Sequence, residues 1–320
     1  MTMEKKYKIG IDLGGTGIKV GVVDREYNIL GKHAVPTVVE KGAKGIIADM
    51  AGAVKHVLSE LGIQEEECVG IGIGSPGMVD STNGVVVFAG NLDWEHENIA
   101  KLLGEHFDLP IKLSNDANCA TLGEAVAGAA KGLKNVVLIT LGTGVGSGIV
   151  INGKIFEGGH AGATEAGHTL LVADGEQCTC GRKGCFEAYC SATALIRDTK
   201  RAAKLHPESV INKLVNGDLD KVNGKVPFDA ALEGDEVAKE VLANYERYLG
   251  EGIVNLIDVF RPDSFLVSGG ICNQKNVLLD PVNEFVKKNC FAGDRGFVPE
   301  VKVATLGNDA GMIGAAALND

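Results

Sequence analysis

The amino-acid sequence predicts an α/β fold built from two domains. Segments with strand composition alternate with segments that carry a helical apolar stripe, a pattern typical of α/β proteins. A glycine turn follows an apolar strand at residues 14–16 and again at residues 142–144, which indicates an internal duplication. With 320 residues, the chain is long enough for two hydrophobic cores. From the motif positions, we predict a small α/β domain over residues 1–117 and a larger one over 118–306, with a helix at 307–320 packing back on the first.

Composition and charge exclude several classes of protein. Hydrophobic residues make up 45% and charged residues 23%, as in ordinary soluble globular proteins. The net charge of −11 repels nucleic acid, so we expect no nucleic-acid partner, and any phosphate site must use local backbone N–H groups. No apolar run approaches the ~20 residues of a membrane helix, so we expect no membrane partner. Eight cysteines without a signal peptide predict reduced thiols and a cytoplasmic location.

The first motif is a hairpin near the N-terminus. Residues 8–13 and 18–23 have strand composition and flank the turn Gly14-Gly15-Thr16. Because the glycines have no side chain, a phosphate could approach this backbone closely, and Asp12 could attract a metal ion directly or through water. The alternative is an ordinary hairpin turn without a ligand.

A second turn of the same kind lies further along the chain. Strand-like residues 136–140 precede Leu141-Gly142-Thr143-Gly144, and a further strand follows at 148–151. Two such turns could hold a polyphosphate from two sides. Because a strand rather than a helix follows, the turn does not fit a Rossmann fingerprint, and the sequence contains no Walker A motif. A third glycine turn, Ser268-Gly269-Gly270, ends another strand.

Apolar periodicity and turn residues predict the remaining elements. We predict strands at residues 69–73, 111–113, 264–267 and 301–304. We predict helices at residues 45–61, 99–107, 121–131, 191–204, 233–260, 282–289 and 309–318, with a break near Gly250 and Gly252. The single tryptophan, Trp94, is interpreted as a packing anchor.

The pair Asn115-Asp116 is the first candidate for chemistry. It directly follows the short strand at 111–113 and precedes a helix, at the end of a strand where open α/β sheets place ligands. A carboxylate there could orient a hydroxyl and accept its proton. The alternative is that Asp116 or Asn118 only caps the helix.

One histidine and three cysteines form a candidate zinc site. The spacing is H-x9-C-x-C-x4-C, formed by His168, Cys178, Cys180 and Cys185. Three thiolates and an imidazole complete a tetrahedral set, so the site would be structural and leave no position open for water or substrate. Such a site would hold in place the two carboxylates that bracket it, Glu165 and Glu187. The alternatives are ordinary buried thiols, or a redox pair with a spare cysteine.

Together these motifs resemble those of the ROK family of bacterial sugar kinases, and most of all its glucokinases. The matching segments are Asp12-Leu13-Gly14-Gly15-Thr16, Asn115-Asp116, Thr140-Leu141-Gly142-Thr143-Gly144, Glu165-Ala166-Gly167-His168, the three-cysteine loop and Ser268-Gly269-Gly270. The resemblance covers nearly the whole chain. It implies an actin/hexokinase-like (ribonuclease H-like) fold of two α/β domains with a cleft between them. It also implies ATP-dependent phosphorylation of a hexose at its 6-hydroxyl, with glucose as the first expectation.

The resemblance further implies a role for each motif. It implies that ATP, bound with Mg²⁺, contacts the residues of the glycine turns and their neighbours: Asp12, Gly14, Gly15, Thr16, Thr140, Gly142, Thr143, Gly144, Gly269 and Gly270. It implies that the sugar is bound by Asn115, Asp116, Glu165, His168 and Glu187, and that Asp116 is the catalytic base. It makes His168 a ligand of a structural Zn²⁺ together with the three cysteines. We also expect a homodimer or a higher homo-oligomer.

Three alternatives to a glucokinase stay open. The first is a ROK kinase for fructose, mannose, allose or an N-acetylated amino sugar. The second is a sugar-responsive repressor, which would carry an N-terminal helix-turn-helix domain; with seven residues before the first strand, we do not expect one. The third is a sugar sensor without catalysis, against which Asp116 and both phosphate turns argue.

Overall fold

The computed structural model describes residues 4–159, 162, 164–291, 293–296 and 298–320. Contacts divide the chain into two compact units. The first unit comprises Met1–Val136, Gly148–Thr164 and Ala304–Asp320, and the second comprises Val137–Ser147 and Glu165–Val303. The domain division expected from the motifs, with its boundary after residue 117, stays a prediction.

Strands and helices alternate along the described residues. The strands are β1 Tyr7–Leu13, β2 Gly17–Val23, β3 Ile29–Pro36, β4 Cys68–Ser75, β5 Met78–Asp80, β6 Val85–Ala89, β7 Trp94–Glu97, β8 Ile111–Asn115, β9 Val136–Leu141, β10 Val145–Ile151, β11 Lys154–Ile155, β12 Ser264–Ser268 and β13 Val301–Val303. The helices are α1 Gly42–Leu61, α2 Ile99–Gly104, α3 Asp116–Val126, α4 Glu187–Cys190, α5 Ala192–Leu205, α6 Val210–Leu214, α7 Val226–Leu232, α8 Glu236–Phe260, α9 Asn276–Asn289 and α10 Ala310–Ala317. The predicted α/β class is confirmed.

The first unit is built on a five-stranded sheet with the order β3-β2-β1-β4-β8. β1 pairs antiparallel with β2, whereas β1, β4 and β8 run parallel to one another. Because parallel strands end at the same edge of a sheet, the carboxyl ends of β1 and β8 lie on one side. That edge carries Asp12 on β1 and Asn115 on β8.

Opposite faces of this sheet pack against α1 and α10. Ile9 and Ile11 of β1 are fully buried in the core that also contains the apolar stripe of α1. Gly10 and Gly72 point the other way, where an added Cβ would lie 1.9 Å and 1.7 Å from carbonyl oxygens of α10. Glycine is therefore needed at both positions, because the helix backbone lies directly on the strands.

A three-stranded antiparallel sheet, β5-β6-β7, also belongs to the first unit. The sequence patterns did not predict these strands, because each strand is short and buried residues alternate with more exposed ones along only part of it. Trp94 begins β7 and is 2% exposed within the same core as α1. The interpretation of Trp94 as a packing anchor is confirmed.

The long helix α8 of the second unit runs from Glu236 to Phe260 without interruption, so the predicted break near Gly250 and Gly252 is wrong. Both glycines are buried. A Cβ at Gly250 would lie 2.5 Å from the ring of Phe285, and one at Gly252 would lie 2.2 Å from the ring of Phe186. These glycines admit aromatic rings against the helix backbone and do not end the helix.

Replacing Gly252 with Ala is therefore expected to destabilise the protein by about 1–3 kcal/mol, because the added methyl group overlaps the Phe186 ring. Chemical denaturation measures the change. Gly52→Ala in α1 is the matched control: no atom lies within 4 Å of the added Cβ, and the better helix propensity of Ala should stabilise by up to about 1 kcal/mol. Equal effects of the two substitutions would contradict this explanation.

Candidate active site

The first glycine turn joins β1 to β2 in the first unit. The Gly14 N–H donates to the Gly17 carbonyl at 2.8 Å and closes the turn, and the Thr37 hydroxyl donates to the Gly14 carbonyl at 2.7 Å. Asp12 lies two residues before Gly14, and its Oδ2 lies 3.2 Å from Lys19 Nζ. Thr37, which lies outside the turn, therefore stabilises it, and the Asp12 carboxylate lies beside it.

Asn115 and Asp116 occupy the junction between β8 and α3. The Asn115 side chain caps the helix, because its Oδ1 accepts hydrogen bonds from the N–H groups of Ala117 at 2.9 Å and Asn118 at 3.4 Å. Asn115 Nδ2 donates to the Gly77 carbonyl at 3.2 Å. The helix starts five residues before the predicted residue 121, because Asn115 supplies the cap. The cap considered from the sequence, Asp116 or Asn118, is therefore corrected to Asn115.

Asp116 is the first residue of α3, and its carboxyl group has a raised pKa. The Asp116 side chain is exposed to solvent, although many protein atoms lie around its carboxyl group. This desolvation raises the pKa of Asp116 to about 6; the N–H of Ala117 partly offsets the rise, and the negative charge of Asp12 adds to it. A pKa near the working pH is what general base catalysis favours.

If Asp116 is the base, kcat/KM for the sugar should increase as the pH rises through about 6 and then level off. The sign follows because only the ionised carboxylate accepts a proton, and protonation below that pKa removes it. A pH–rate profile from about pH 5 to about pH 8, with coupling enzymes in excess, measures this. A profile that is already flat at its acidic end would contradict the prediction.

The second and third glycine turns lie next to each other in the second unit. The second turn, between β9 and β10, is closed by a 3.0 Å hydrogen bond from the Gly142 N–H to the Gly144 carbonyl. Gly269, at the end of β12, has φ 107°, and an added Cβ would lie 2.2 Å from the Leu141 carbonyl oxygen. Only glycine suits this backbone and this contact. The structure thus brings together two of the three turns expected to bind ATP.

The segment from Glu165 to His168 packs against β10. Its last three residues form one 3-10 turn, in which the His168 N–H donates to the Glu165 carbonyl at 3.0 Å. The Ala166 N–H donates to Ser147 Oγ at 3.1 Å, and an added Cβ on Gly167 would lie 2.1 Å from the Val145 carbonyl oxygen. Close backbone packing therefore fixes both Glu165 and His168.

The predicted zinc ligands come together at the end of this segment. The donor atoms of His168, Cys178, Cys180 and Cys185 all lie within 4.8 Å of one another. Cys180 Sγ lies 3.7 Å from Cys185 Sγ, and Cys178 Sγ lies 3.6 Å from His168 Nδ1. In a zinc tetrahedron with bonds of about 2.0–2.3 Å, ligand atoms are separated by about 3.5–3.8 Å, so these residues fit Zn²⁺.

The other five cysteines are buried and free, as expected. They are Cys68, Cys119, Cys190, Cys272 and Cys290. All eight cysteines lie within the described part of the chain, and none forms a disulfide there. Burial raises the pKa of Cys119 and Cys190 well above the usual thiol range, so they stay protonated and unreactive.

Glu187 lies between the cysteine loop and the second glycine turn. Its Oε1 accepts a hydrogen bond from Thr179 Oγ1 at 2.8 Å, and its Oε2 accepts one from the Val145 N–H at 3.0 Å. Cys178 Sγ lies 3.5 Å from Oε1. An added Cβ on Gly144 would lie 2.3 Å from Oε2, so the carboxylate packs directly against the backbone of the turn.

Two neighbours of the predicted residues were not singled out from the sequence. Lys19 pairs with Asp12, and the hairpin register Asp12↔Lys19 could have indicated this pair once the turn had been placed. Thr179 contacts Glu187, but a threonine between two cysteines carries no sequence signal for that contact.

Comparison with known proteins identifies the family. A family model described as the ROK family matches residues 8–320. The chain belongs to the ROK family. It is 40% identical over 312 residues to a glucokinase of Streptomyces coelicolor, covering 97% of this chain and 96% of that one. It is 36% identical to a glucokinase of Halalkalibacterium halodurans, covering 99% and 96% of the two chains.

A solved structure gives the same result for the fold. The ROK family glucokinase of Streptomyces griseus, in complex with glucose and AMPPNP, is 38% identical, with a TM-score of 0.78 and 98% of each chain covered. The fold is therefore that of the ROK sugar kinases, the actin/hexokinase-like fold, as the resemblance implied. Among the described residues, no helix has the length and apolar character needed to span a bilayer.

Proposed function

We propose that this protein is a glucokinase that transfers the γ-phosphoryl group of ATP to the 6-hydroxyl of glucose. The observation that carries the proposal is the similarity to glucokinases over nearly the whole chain, at 36–40% identity. Its relative from Streptomyces griseus binds glucose and AMPPNP, which supports glucose and ATP as substrates here. The geometry around Asp116 fits this chemistry.

Asp116 is the proposed base. A sugar hydroxyl is a weak nucleophile, and the phosphoryl-transfer transition state is loose and highly charged, so positioning and charge stabilisation dominate catalysis. The carboxylate of Asp116 would accept the proton of the 6-hydroxyl as the oxygen attacks the γ-phosphorus. Asn115, held by its cap and by the Gly77 carbonyl, would contact a neighbouring hydroxyl.

The glycine turns are the proposed phosphate-binding elements. The first turn supplies Gly14, Gly15 and Thr16, and the second supplies Gly142, Thr143 and Gly144 next to Thr140. Their backbone can approach phosphate oxygens because few side chains intervene. Gly269 and Gly270 would lie by the adenosine. Asp12 would help to hold Mg²⁺, which neutralises phosphate charge when bound.

The sugar is proposed to contact Glu165, His168 and Glu187 in addition to the Asn115–Asp116 pair. Carboxylates and an imidazole suit a polyol, because each can share hydrogen bonds with adjacent hydroxyls. Zn²⁺ at His168 and the three cysteines would be structural, since four protein ligands fill its coordination. The cysteine loop would thereby keep His168 and Glu187 in fixed positions.

A coupled assay of ADP release tests the proposal. The purified protein is supplied with ATP, Mg²⁺ and one sugar at a time: glucose, mannose, fructose, allose, N-acetylglucosamine or N-acetylmannosamine. We expect the highest kcat/KM with glucose. Absence of sugar-dependent ADP release with every sugar would contradict a kinase, and a higher kcat/KM with another sugar would replace glucose as the substrate.

A further inference from the structure

Each oxygen of the Glu187 carboxylate accepts a hydrogen bond from a fixed donor, and Cys178 Sγ also lies 3.5 Å from Oε1. Thr179 Oγ1 donates to Oε1 at 2.8 Å, and the Val145 N–H donates to Oε2 at 3.0 Å. Thr179 comes from the cysteine loop, whereas Val145 comes from the strand after the second glycine turn. The orientation of this carboxylate therefore depends on two separate segments of the second unit.

We propose that Thr179 is a positioning residue for Glu187, and that its hydroxyl determines how tightly the enzyme binds the sugar. The inference rests on the proposed function and deepens it. It concerns a residue that is neither a metal ligand nor a sugar contact and that acts through Glu187. The ligand is a hexose, and one of its hydroxyl groups donates a hydrogen bond to the Glu187 carboxylate that Thr179 has oriented.

The loop around Thr179 fixes the direction of its hydroxyl. Thr179 stands between Cys178 and Cys180, two of the four grouped ligand residues. The Cys178 N–H donates to the Arg182 carbonyl at 2.9 Å, and the Gly181 N–H donates to the Cys178 carbonyl at 3.1 Å. Because the β-branched side chain of threonine has few accessible rotamers, a fixed backbone gives a fixed hydroxyl.

The second glycine turn restricts Glu187 from the opposite side. Gly144 leaves room for Oε2, since a Cβ there would lie only 2.3 Å away. An ionised carboxylate has about four acceptor positions. Thr179 and Val145 each use one, and Cys178 Sγ lies beside a third at 3.5 Å from Oε1. The remaining positions can accept sugar hydroxyls. If Thr179 no longer holds Oε1, the carboxylate can rotate about its last side-chain bond, and those positions lose their alignment.

The test compares Thr179→Val, which removes the hydroxyl at nearly constant shape, with Thr179→Ser, which retains it. Loss of a hydrogen bond to a charged group should raise the glucose Kd and KM about tenfold in the valine variant, with the KM for ATP changed by less than about twofold. The serine variant should recover most of the affinity. Thr82→Val, at an exposed threonine of the first unit, is the matched control and should bind glucose like the wild type.

Zinc content and melting temperature, measured on the same samples, separate positioning from support of the loop. We expect both to stay at wild-type values in Thr179→Val. An unchanged glucose Kd would overturn the inference, and so would a parallel loss of zinc, because Thr179 would then act by supporting the metal site. If the wild-type protein phosphorylates no sugar, the proposed function is wrong. If the wild type is active and Thr179→Val binds glucose with the wild-type Kd, only this inference is wrong.

Discussion

Replacing Asp116 with Asn is expected to lower kcat by about 10²- to 10⁴-fold, the usual cost of removing a general base. The amide has nearly the same shape as the carboxylate but cannot accept the hydroxyl proton. The fold should survive, because an Asn side-chain oxygen can still accept the 2.8 Å hydrogen bond from the Ala117 N–H, and Asn115 still caps the helix. Steady-state kinetics with glucose measure the change.

The sugar affinity of this variant distinguishes chemistry from structure. A lost base lowers kcat while the glucose Kd stays within a few fold of the wild type, whereas a disturbed site weakens binding as well. Asp108→Asn, at an exposed residue, is the matched control and should retain full activity. A near-normal kcat in Asp116→Asn would leave Asp116 with only a structural role at the start of α3.

The fold class could be predicted because periodicity and turn residues are local features. The hairpin around Gly14 and Gly15 and the strands that precede both glycine turns follow from short stretches of sequence. The wrong break in α8 shows the limit of that approach. A glycine that ends a helix and a glycine that admits an aromatic ring look alike in sequence, and the rings of Phe285 and Phe186 that decide the case lie outside the helix.

The candidate site was predictable to the extent that its residues are close in sequence. The four residues proposed as zinc ligands fall within one short stretch, so their spacing alone predicted a metal site. By contrast, the contact between Val145 and Glu187 joins residues 42 apart and involves a backbone N–H, which has no sequence signal. Likewise, the raised pKa of Asp116 arises mainly from desolvation by surrounding protein atoms and in smaller part from the charge of Asp12, and both depend on residues that are distant in sequence.

Cys178→Ser is expected to remove zinc and to destabilise the protein. A serine hydroxyl is a poor replacement for a thiolate ligand, so the metal content should fall from about one zinc per chain to well below that. Because metal affinity contributes to folding free energy, about 10–16 kcal/mol in isolated zinc fingers, the melting temperature should fall clearly even if only part of this is lost. Metal analysis and thermal unfolding measure both effects. The matched control is Cys290→Ser, which makes the same chemical change at a buried cysteine outside the ligand group and should keep the zinc.

The same variant should also weaken sugar binding more than ATP binding. His168 is a proposed ligand of both zinc and sugar, and Thr179, next to Cys178, holds one oxygen of Glu187. Loss of the metal should release both sugar contacts, so we expect the glucose KM to rise about tenfold or more, as for the loss of a hydrogen bond to a charged group. The ATP KM should change less, because the glycine turns lie outside the cysteine loop. The contact of Glu187 with Val145, beside the second turn, accounts for any small change that is seen. A wild-type protein without zinc would contradict the metal site, and a zinc-free Cys178→Ser variant with normal glucose KM would show that the metal supports stability alone.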